Sequence, residues 1–425
     1  MTDWQRDHAM LALRINRLGG PMLIYRGPAE WSARVEAEPP AVPGALADEA
    51  ERLLAEAPSV YLAAQVRAMR AVARRLGGER LPLAEYGREC LGLEPRWVPE
   101  AVFERAHAEL DAALPRTPGS PGERLRAWQA AHTLEPIERL PALVDKAVAE
   151  TRARTAAAII ELPDEVVECR LVEGVAFHGA GEYEGGLKST IHINRAIPFN
   201  LADLLYLVAH EGHPGHIAES MLKELRLGSR LGGRGGGQVE GQVEGQVEGQ
   251  QVRFMPSPSF VLSEGLGLLA EELLFPGDEA QEWLNANIFP ETGIRPGGGD
   301  FGAIHHARNV LWGVWGNAAF LADEGRGEAE TAAYLRRWAL YGEEEAALAL
   351  GLLKPSPMSP YIFGYFHGWE LLRPWVTGPE RARRLLTEAL LPADVRPHQN
   401  LPHQPPPHQD PSHQDPSHQG APGAS

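Results

Sequence analysis

The chain of 425 residues carries 40 basic and 57 acidic residues, so its formal net charge is −17. Such an acidic chain is a poor candidate for binding nucleic acid or an anionic membrane surface. Two cysteines cannot form a disulfide framework, and no apolar run is long enough to cross a bilayer. We therefore expect a cytoplasmic protein that binds neither nucleic acid nor membrane.

The first 160 residues predict helices that are separated by Pro and Gly, without a strand pattern. Apolar residues recur at helical spacing in the segments 59–76, 98–114 and 141–160. We expect 1–160 to form an N-terminal helical region and one wall of a cleft.

The pattern changes after residue 160. The segments 165–177 and 189–199 are rich in β-branched residues that partly alternate, and the run 178–188 between them is typical of a turn. The two segments predict a short antiparallel pair of strands. A strongly apolar helix follows at 201–213, with Asn200 as its N-cap.

More helices are predicted on either side of a low-complexity insert. The insert, 228–252, contains three perfect copies of GQVE, and we interpret it as a flexible loop without chemistry. A tail at 391–425, rich in Pro, Gln and His, is expected to be disordered. The helices predicted between insert and tail span 259–275, 301–323, 328–341, 359–375 and 379–390.

The densest cluster of chemical side chains lies where the apolar 201–213 helix ends, in VAHEGHPGHIAE. Burying several imidazoles and a carboxylate costs free energy unless they find partners, and a divalent cation satisfies them together. In the zincin pattern His-Glu-x-x-His, two imidazoles bind zinc from one helix face and the Glu serves as general base. His210 and Glu211 fit the first half of that pattern.

The second half of the pattern fails because Pro214 stands at the expected position of the second His. His213 is one alternative, since three residues along a regular helix it lies close to the face of His210. His216 is the other. It lies on the wrong face of a straight helix, but Pro214 and Gly215 break the helix and could turn His216 back toward His210. From these residues alone both alternatives stay open.

Three segments together resemble the bacterial domain-of-unknown-function 885 family, which looks like metallopeptidases of the gluzincin type. HEGHPGH resembles its HExxPGHH signature, SEGLGLLAEE its EGWALYAEE segment, and SPYIFGYFHGWELLR its SYxxGxxxxxxLR segment. STIHINRAIPF resembles its edge strand, which in gluzincins can pair with an extended peptide. Over about 165–375, the resemblance implies a mainly α, gluzincin-like fold with a small antiparallel sheet beside the metal helix, and 161–390 as the catalytic region.

The resemblance also implies the roles of individual residues. His210 and His216 are expected as imidazole ligands of one zinc ion, Glu264 as its carboxylate ligand and Glu211 as general base. The family position that corresponds to His213 is variable, which implies that His213 is incidental. The chain departs from the family at Ile217, where the family has a second His.

A donor to the developing oxyanion is expected from Tyr361 or from one of His305, His306 and His367. The expected function is a zinc-dependent hydrolase of peptide or small amide bonds. The alternatives are a non-catalytic helical binding protein descended from such a peptidase, and a metal-handling protein that uses the His-rich tail. We expect Trp312, Trp315 and Trp338 to pack in the core rather than to contact a substrate.

Overall fold

The computed structural model describes residues 2–228 and 251–396. Over these ranges the protein is mainly helical and carries two small sheets, one of them beside the helix that holds His210. This confirms the predicted fold class. The GQVE repeats and the tail from residue 397 onward lie outside the described residues.

The N-terminal region consists of short helices and one strand. The three predicted segments are confirmed as helices. The first of them is capped by Ser59, whose Oγ accepts a hydrogen bond from the Leu62 N–H at 3.2 Å. The prediction of no strand is wrong, because β1 (Leu23–Tyr25) lies in this region. The helices are α1 (Asp3–Gly19), α2 (Ala29–Ala37), α3 (Pro43–Ala55), α4 (Val60–Leu76), α5 (Leu83–Leu91), α6 (Glu100–Ala113), α7 (Pro121–Ala131) and α8 (Leu140–Ala158).

The second half of the chain supplies the central helices. The predicted helix 201–213 begins as a 3-10 turn, Leu201–Asp203, where Asn200 Oδ1 accepts from the Ala202 N–H at 3.0 Å. The helix Pro258–Leu274 is mainly apolar and is buried on all its faces as far as Glu271, while Glu272 in its last turn is exposed. The helices are α9 (Leu204–Glu211), α10 (His216–Gly228), α11 (Pro258–Leu274), α12 (Glu279–Asn287), α13 (Phe289–Thr292), α14 (Phe301–Asp323), α15 (Glu328–Trp338), α16 (Glu343–Leu352), α17 (Phe363–Leu372) and α18 (Pro379–Thr387).

The three-stranded sheet differs from the predicted antiparallel pair. β2 (Val166–Val172) and β4 (Lys188–Asn194) pair in parallel, and the run predicted as a turn forms β3 (Gly179–Gly185), which is antiparallel to β4. The order β2-β4-β3 puts β4 in the centre, so the expectation that STIHINRAIPF is an edge strand is wrong. The edge strand that contacts α9 is β3. Its glycines hid the strand pattern, and the structure needs them for close packing.

The second sheet joins the two halves of the chain. β1 pairs antiparallel with β5 (Val252–Phe254), which follows the repeat segment. One cluster of buried apolar side chains extends from Ala9 to Val395. The regions predicted as 1–160 and 161–390 therefore share a core. The predicted tail begins too early, because Pro392 and Val395 are buried in a 3-10 turn.

Two facing glycines bring α17 against α11. A Cβ on Gly368 would lie 2.2 Å from the Val261 carbonyl oxygen, and a Cβ on Gly265 would lie 2.5 Å from the Gly368 carbonyl carbon. Neither position has room for a side chain, so the two backbones meet directly. This close approach places the residues that flank the start of α17 beside Glu264 of α11.

Candidate metal centre

The structure brings the two imidazoles and the two carboxylates of the expected site together. Ligand atoms of His210, Glu211 and His216 lie within 4.8 Å of one another. Glu264 completes the group, since its Oε2 lies 3.5 Å from His210 Nε2 and its Oε1 lies 3.5 Å from His216 Nε2. The two imidazole rings are perpendicular, at an interplanar angle of 89°.

The helix break between α9 and α10 produces this convergence. α9 ends at Glu211 and α10 begins at His216, with Pro214 and Gly215 between them. The Gly215 N–H donates to the Ala209 carbonyl oxygen at 3.0 Å, and a Cβ on Gly215 would lie 1.7 Å from the His210 carbonyl oxygen. Only glycine fits there, so the Pro-Gly pair turns His216 toward His210.

Glu264 offers an oxygen that has no hydrogen-bond donor among the described residues. Its side chain is 2% exposed, and Oε2 is buried without a hydrogen-bond partner. Oε1 accepts a hydrogen bond from the Tyr361 hydroxyl. Burial raises the pKa of Glu264, but His216, His210 and Tyr361 outweigh burial, so the pKa is lowered. A buried anionic oxygen without a donor fits the position of a carboxylate that binds a cation.

A chain of hydrogen bonds orients the His216 ring. His216 Nδ1 lies 3.0 Å from Ser263 Oγ, and the Ser263 hydroxyl donates to Glu219. Ser263 must then accept from Nδ1–H, which leaves the lone pair of His216 on Nε2, facing Glu264. Glu219 stays ionised, with a pKa lowered to about 2, because Lys223 and Arg253 outweigh its burial.

The His210 ring fits into a space that α11 leaves open at Gly267. A Cβ at Gly267 would lie 2.6 Å from His210 Cε1 and 2.7 Å from both ring nitrogens. Burial lowers the pKa of His210, but Glu211 and Glu264 outweigh it, so the pKa is raised. His210 is thus held by packing on one side and by two carboxylates on the other.

The edge strand β3 positions Glu211. The Gly181 N–H donates to Glu211 Oε2 at 2.8 Å, while Oε1 lies 4.0 Å from His210 Nε2. A Cβ on Gly181 would lie 2.2 Å from the Glu211 carbonyl oxygen, which explains the glycine in this strand. One carboxylate oxygen of Glu211 is anchored, and the other faces the cluster.

Tyr361 lies in the cluster, where it bonds to Glu264. Tyr365, one helical turn later, packs edge-on against it with ring centroids 5.8 Å apart. The pKa of Tyr365 is raised well above its ordinary value by burial and by the carboxylates of Glu264 and Glu211. Sequence reasoning did not single out Tyr365, because its aromatic neighbours gave no sign that the charges of two carboxylates act on it.

The other candidate donors are bound elsewhere. His305 is buried between Glu271, 2.6 Å from its Nδ1, and Asp203, 2.9 Å from its Nε2. His306 packs edge-on against Trp369, and His367 Nε2 accepts from the Arg96 N–H at 3.3 Å. These three imidazoles therefore serve contacts outside the cluster.

His213 points away from His210 and His216, which agrees with its expected incidental role. It is fully buried, and its Nε2 contacts Glu165, which also pairs with Arg152. Ile217, at the position where the family has a second His, is fully buried in the apolar core. The bend therefore selects His216 as the second imidazole of the cluster.

The donor set fits zinc. Two imidazoles and one carboxylate from neighbouring helices are the protein ligands of many catalytic zinc sites, which leave a fourth position for water or substrate. Glu211 stands beside this set without being needed to complete it. The arrangement can hold a cation, position a base and offer hydroxyl donors.

Comparisons with known proteins leave the family open. No family model matches the chain, and no curated protein matches it. It is similar to a crystal structure of a "putative lipoprotein" from Colwellia psychrerythraea, with TM-score 0.48, 16% identity and 90% of this chain and 67% of that one covered. A "putative lipoprotein of unknown function" from Shewanella oneidensis gives TM-score 0.48 and 11% identity, over 86% and 74% of the two chains.

The resemblance to the domain-of-unknown-function 885 family thus stays a prediction. Within the part of the chain that the structure describes, no helix has both the length and the apolar character of a membrane span.

Proposed function

We propose that this protein is a zinc-dependent hydrolase of peptide bonds. The observation that carries the proposal is the convergence of His210, His216 and Glu264 around a buried carboxylate oxygen that lacks a donor. A cation supplies what this oxygen and the two imidazoles lack. In this proposal the three residues hold the ion, and Glu211 remains free to act as a base.

Zinc, when bound at such a site, polarises a substrate carbonyl and lowers the pKa of a water molecule. Glu211 accepts a proton at Oε1 and passes it to the leaving nitrogen, while the Gly181 N–H keeps Oε2 in place. The hydroxyls of Tyr361 and Tyr365 are the donors beside Glu264 that can meet the oxygen on which charge develops. To donate to this oxygen, the Tyr361 hydroxyl must give up its hydrogen bond to Glu264.

Metal analysis and peptide hydrolysis together test the proposal. The purified full-length protein should hold one zinc ion at the cluster and hydrolyse unstructured peptides. Glu211→Gln should keep its zinc and lose hydrolysis, because the amide cannot accept a proton. Glu272→Gln is the matched control, since Glu272 is exposed on α11 and should not affect either property. Full activity in Glu211→Gln, or zinc-loaded wild type that cleaves no peptide, would contradict the proposal.

A further inference from the structure

One face of α9 links the metal cluster to a buried ion network at the start of the helix. Asp203, Tyr206 and His210 are spaced by three and four residues, so they share that face. Seven residues of α-helix rise about 10 Å, which sets the distance along the helix from Asp203 to His210. Arg308 of α14 donates from Nη1 to Asp203 Oδ1 at 2.6 Å. Arg308 is therefore bound at one end of this helical face, and His210 lies about 10 Å along the helix at the other end.

The ion network leaves Arg308 able to bind a second anion. Asp203 also contacts His305 at 2.9 Å, and Glu271 contacts the other side of His305, so two acidic and two basic groups balance. The Asp203 contact uses Nη1 of a guanidinium that has five N–H donors. The side chain of Arg308 is 28% exposed, which makes it accessible to a ligand.

Aromatic side chains of α9, α14 and α17 form a wall beside Arg308. Trp312, one turn after Arg308 on α14, stacks on Tyr365 with ring centroids 4.3 Å apart. Tyr206 donates to Asn309 Oδ1 at 2.6 Å and shares this wall. The rings of Trp312, Tyr365 and Tyr206 are all half-buried, so they form a surface and not only a core.

His178 is a further polar group near the ion network, and it lies just before the edge strand β3. Its Nε2 is buried and has no hydrogen-bond partner among the described residues. Burial lowers the pKa of His178, and the charges of Asp203, Arg308 and Glu211 all act on it, so the ring lies within reach of both the network and the base. An imidazole nitrogen in this position can bond to the backbone of a bound peptide.

We propose that Arg308 binds the C-terminal carboxylate of the substrate, so that the enzyme removes the last residue from the C-terminus of short peptides. This inference rests on the proposed hydrolase function and names its substrate class. The rise of about 10 Å along the helix, less about 3 Å for the contact at each end, leaves about 4 Å, which is the length of one extended residue. A guanidinium is suited to this role because it binds a carboxylate with two parallel hydrogen bonds.

Pairs of peptides that differ only at the C-terminus test the inference on the wild-type protein. Unblocked pentapeptides and their C-terminal amides are incubated with the zinc-loaded enzyme, and the products are identified by mass spectrometry. We expect kcat/KM about 10-fold to 100-fold higher for the free acid, since a charge-assisted pair is lost in the amide. The fragments released from the C-terminus should be single residues.

Variants of Arg308 assign the effect to this residue. Both Arg308→Ala and Arg308→Lys should lose the preference for the free acid, mainly through KM. The Lys variant is included because it keeps a positive charge beside Asp203, so it remains a usable test if the Ala variant does not fold. The control is Arg326→Ala, which removes an exposed guanidinium that pairs with Glu330. Calorimetric binding of the same peptides to the metal-free proteins gives a readout without turnover, and should show the same order.

The outcomes separate the two proposals. Hydrolysis of acid and amide at equal rates, or a preference that survives in both Arg308 variants, overturns the role of Arg308 while peptide hydrolysis stands. Cleavage only at other bonds, with the C-terminal residue left in place, also overturns it. If the zinc-loaded wild type cleaves neither peptide, the hydrolase proposal fails and the substrate class fails with it.

Discussion

A single methyl group at Gly267 should separate metal binding from folding. In Gly267→Ala the new Cβ would lie 2.6 Å from His210 Cε1 and 2.7 Å from both ring nitrogens. Carbon atoms in contact are ordinarily about 3.5 to 4.0 Å apart, so the His210 ring must move by about 1 Å. The ring stands between Gly267 and the cluster, and it therefore moves out of the position that Glu264 and His216 now share.

The magnitudes favour a folded protein with a damaged site. Overpacking costs about 1 to 3 kcal/mol, while alanine within a helix recovers about 1 kcal/mol relative to glycine. The net loss of unfolding free energy is thus at most about 2 kcal/mol, less than the total stability of an ordinary domain. Metal–ligand distances tolerate only about 0.2 Å, so zinc affinity should fall by at least about 100-fold.

Zinc competition against a chromophoric chelator measures the affinity, and thermal unfolding of the metal-free protein measures the stability. The matched control is Gly351→Ala, because a Cβ there meets nothing within 4 Å and the residue lies in an exposed turn of α16. The control should bind zinc as the wild type does. Wild-type zinc affinity in a folded Gly267→Ala protein would refute the packing argument for His210.

Three further perturbations test other parts of the account. The pKa of His305 is raised from 6.5 to about 9 because Glu271 and Asp203 outweigh its burial. The charged His305 therefore stabilises the fold by up to about 3 kcal/mol below pH 6.5, and this contribution is lost as the pH rises through 9. The unfolding free energy of His305→Gln, measured with denaturant, should lack this loss. If wild type and variant show the same dependence of unfolding free energy on pH, the result would argue against the network. Ser263→Ala removes the hydroxyl that orients the His216 ring and should weaken zinc binding about 10-fold. The control Ser259→Ala removes a hydroxyl that is bonded to Ser257 and should not change zinc affinity. Equal zinc affinities of the two variants would show that Ser263 does not orient the ring. Tyr365→Phe should lower kcat about 100-fold with little change in KM if its hydroxyl meets the oxyanion, and an unchanged kcat would leave Tyr361 as the donor.

Helical periodicity predicted the helices that build the site. The span 301–323 coincides with α14, and 259–275 differs from α11 by one residue at each end. Long segments with apolar residues at helical spacing specify their own structure through the 3.6-residue repeat. The Pro-Gly bend was also predictable, because a missing N–H and a missing Cβ act locally at Pro214 and Gly215.

The sheets were the main error, since their pairing depends on contacts that are distant in sequence. β3 contains Gly179 and Gly181, which suggested a turn. Both positions are glycine because α9 packs directly against the strand and leaves little or no room for a side chain. β1 and β5 have three residues each and pair across more than two hundred positions. Strands this short carry too little pattern to be found without their partners.

The contacts that support the candidate ligands likewise could not be predicted from the sequence. Ser263 contacts His216, and the charges of Glu264 and Glu211 act on Tyr365, because four helices and a strand converge at one point. A serine beside Glu264 and a tyrosine among aromatic residues have many ordinary uses, so residue type alone could not single them out. Among the candidate ligands, the His-Glu pattern indicated His210, whereas His216 and Glu264 were expected from the family resemblance.

Zinc stoichiometry in three variants tests the central claim most directly. Full-length wild type, His216→Ala and His213→Ala are each titrated with zinc by calorimetry, so that sites in the tail contribute equally to all three. We predict that His216→Ala lacks one tight zinc site that the wild type and His213→Ala both retain, because the bend turns His216 toward Glu264 and leaves His213 with Glu165. A tight site that survives in His216→Ala, or is absent from the wild type, would contradict the metal centre.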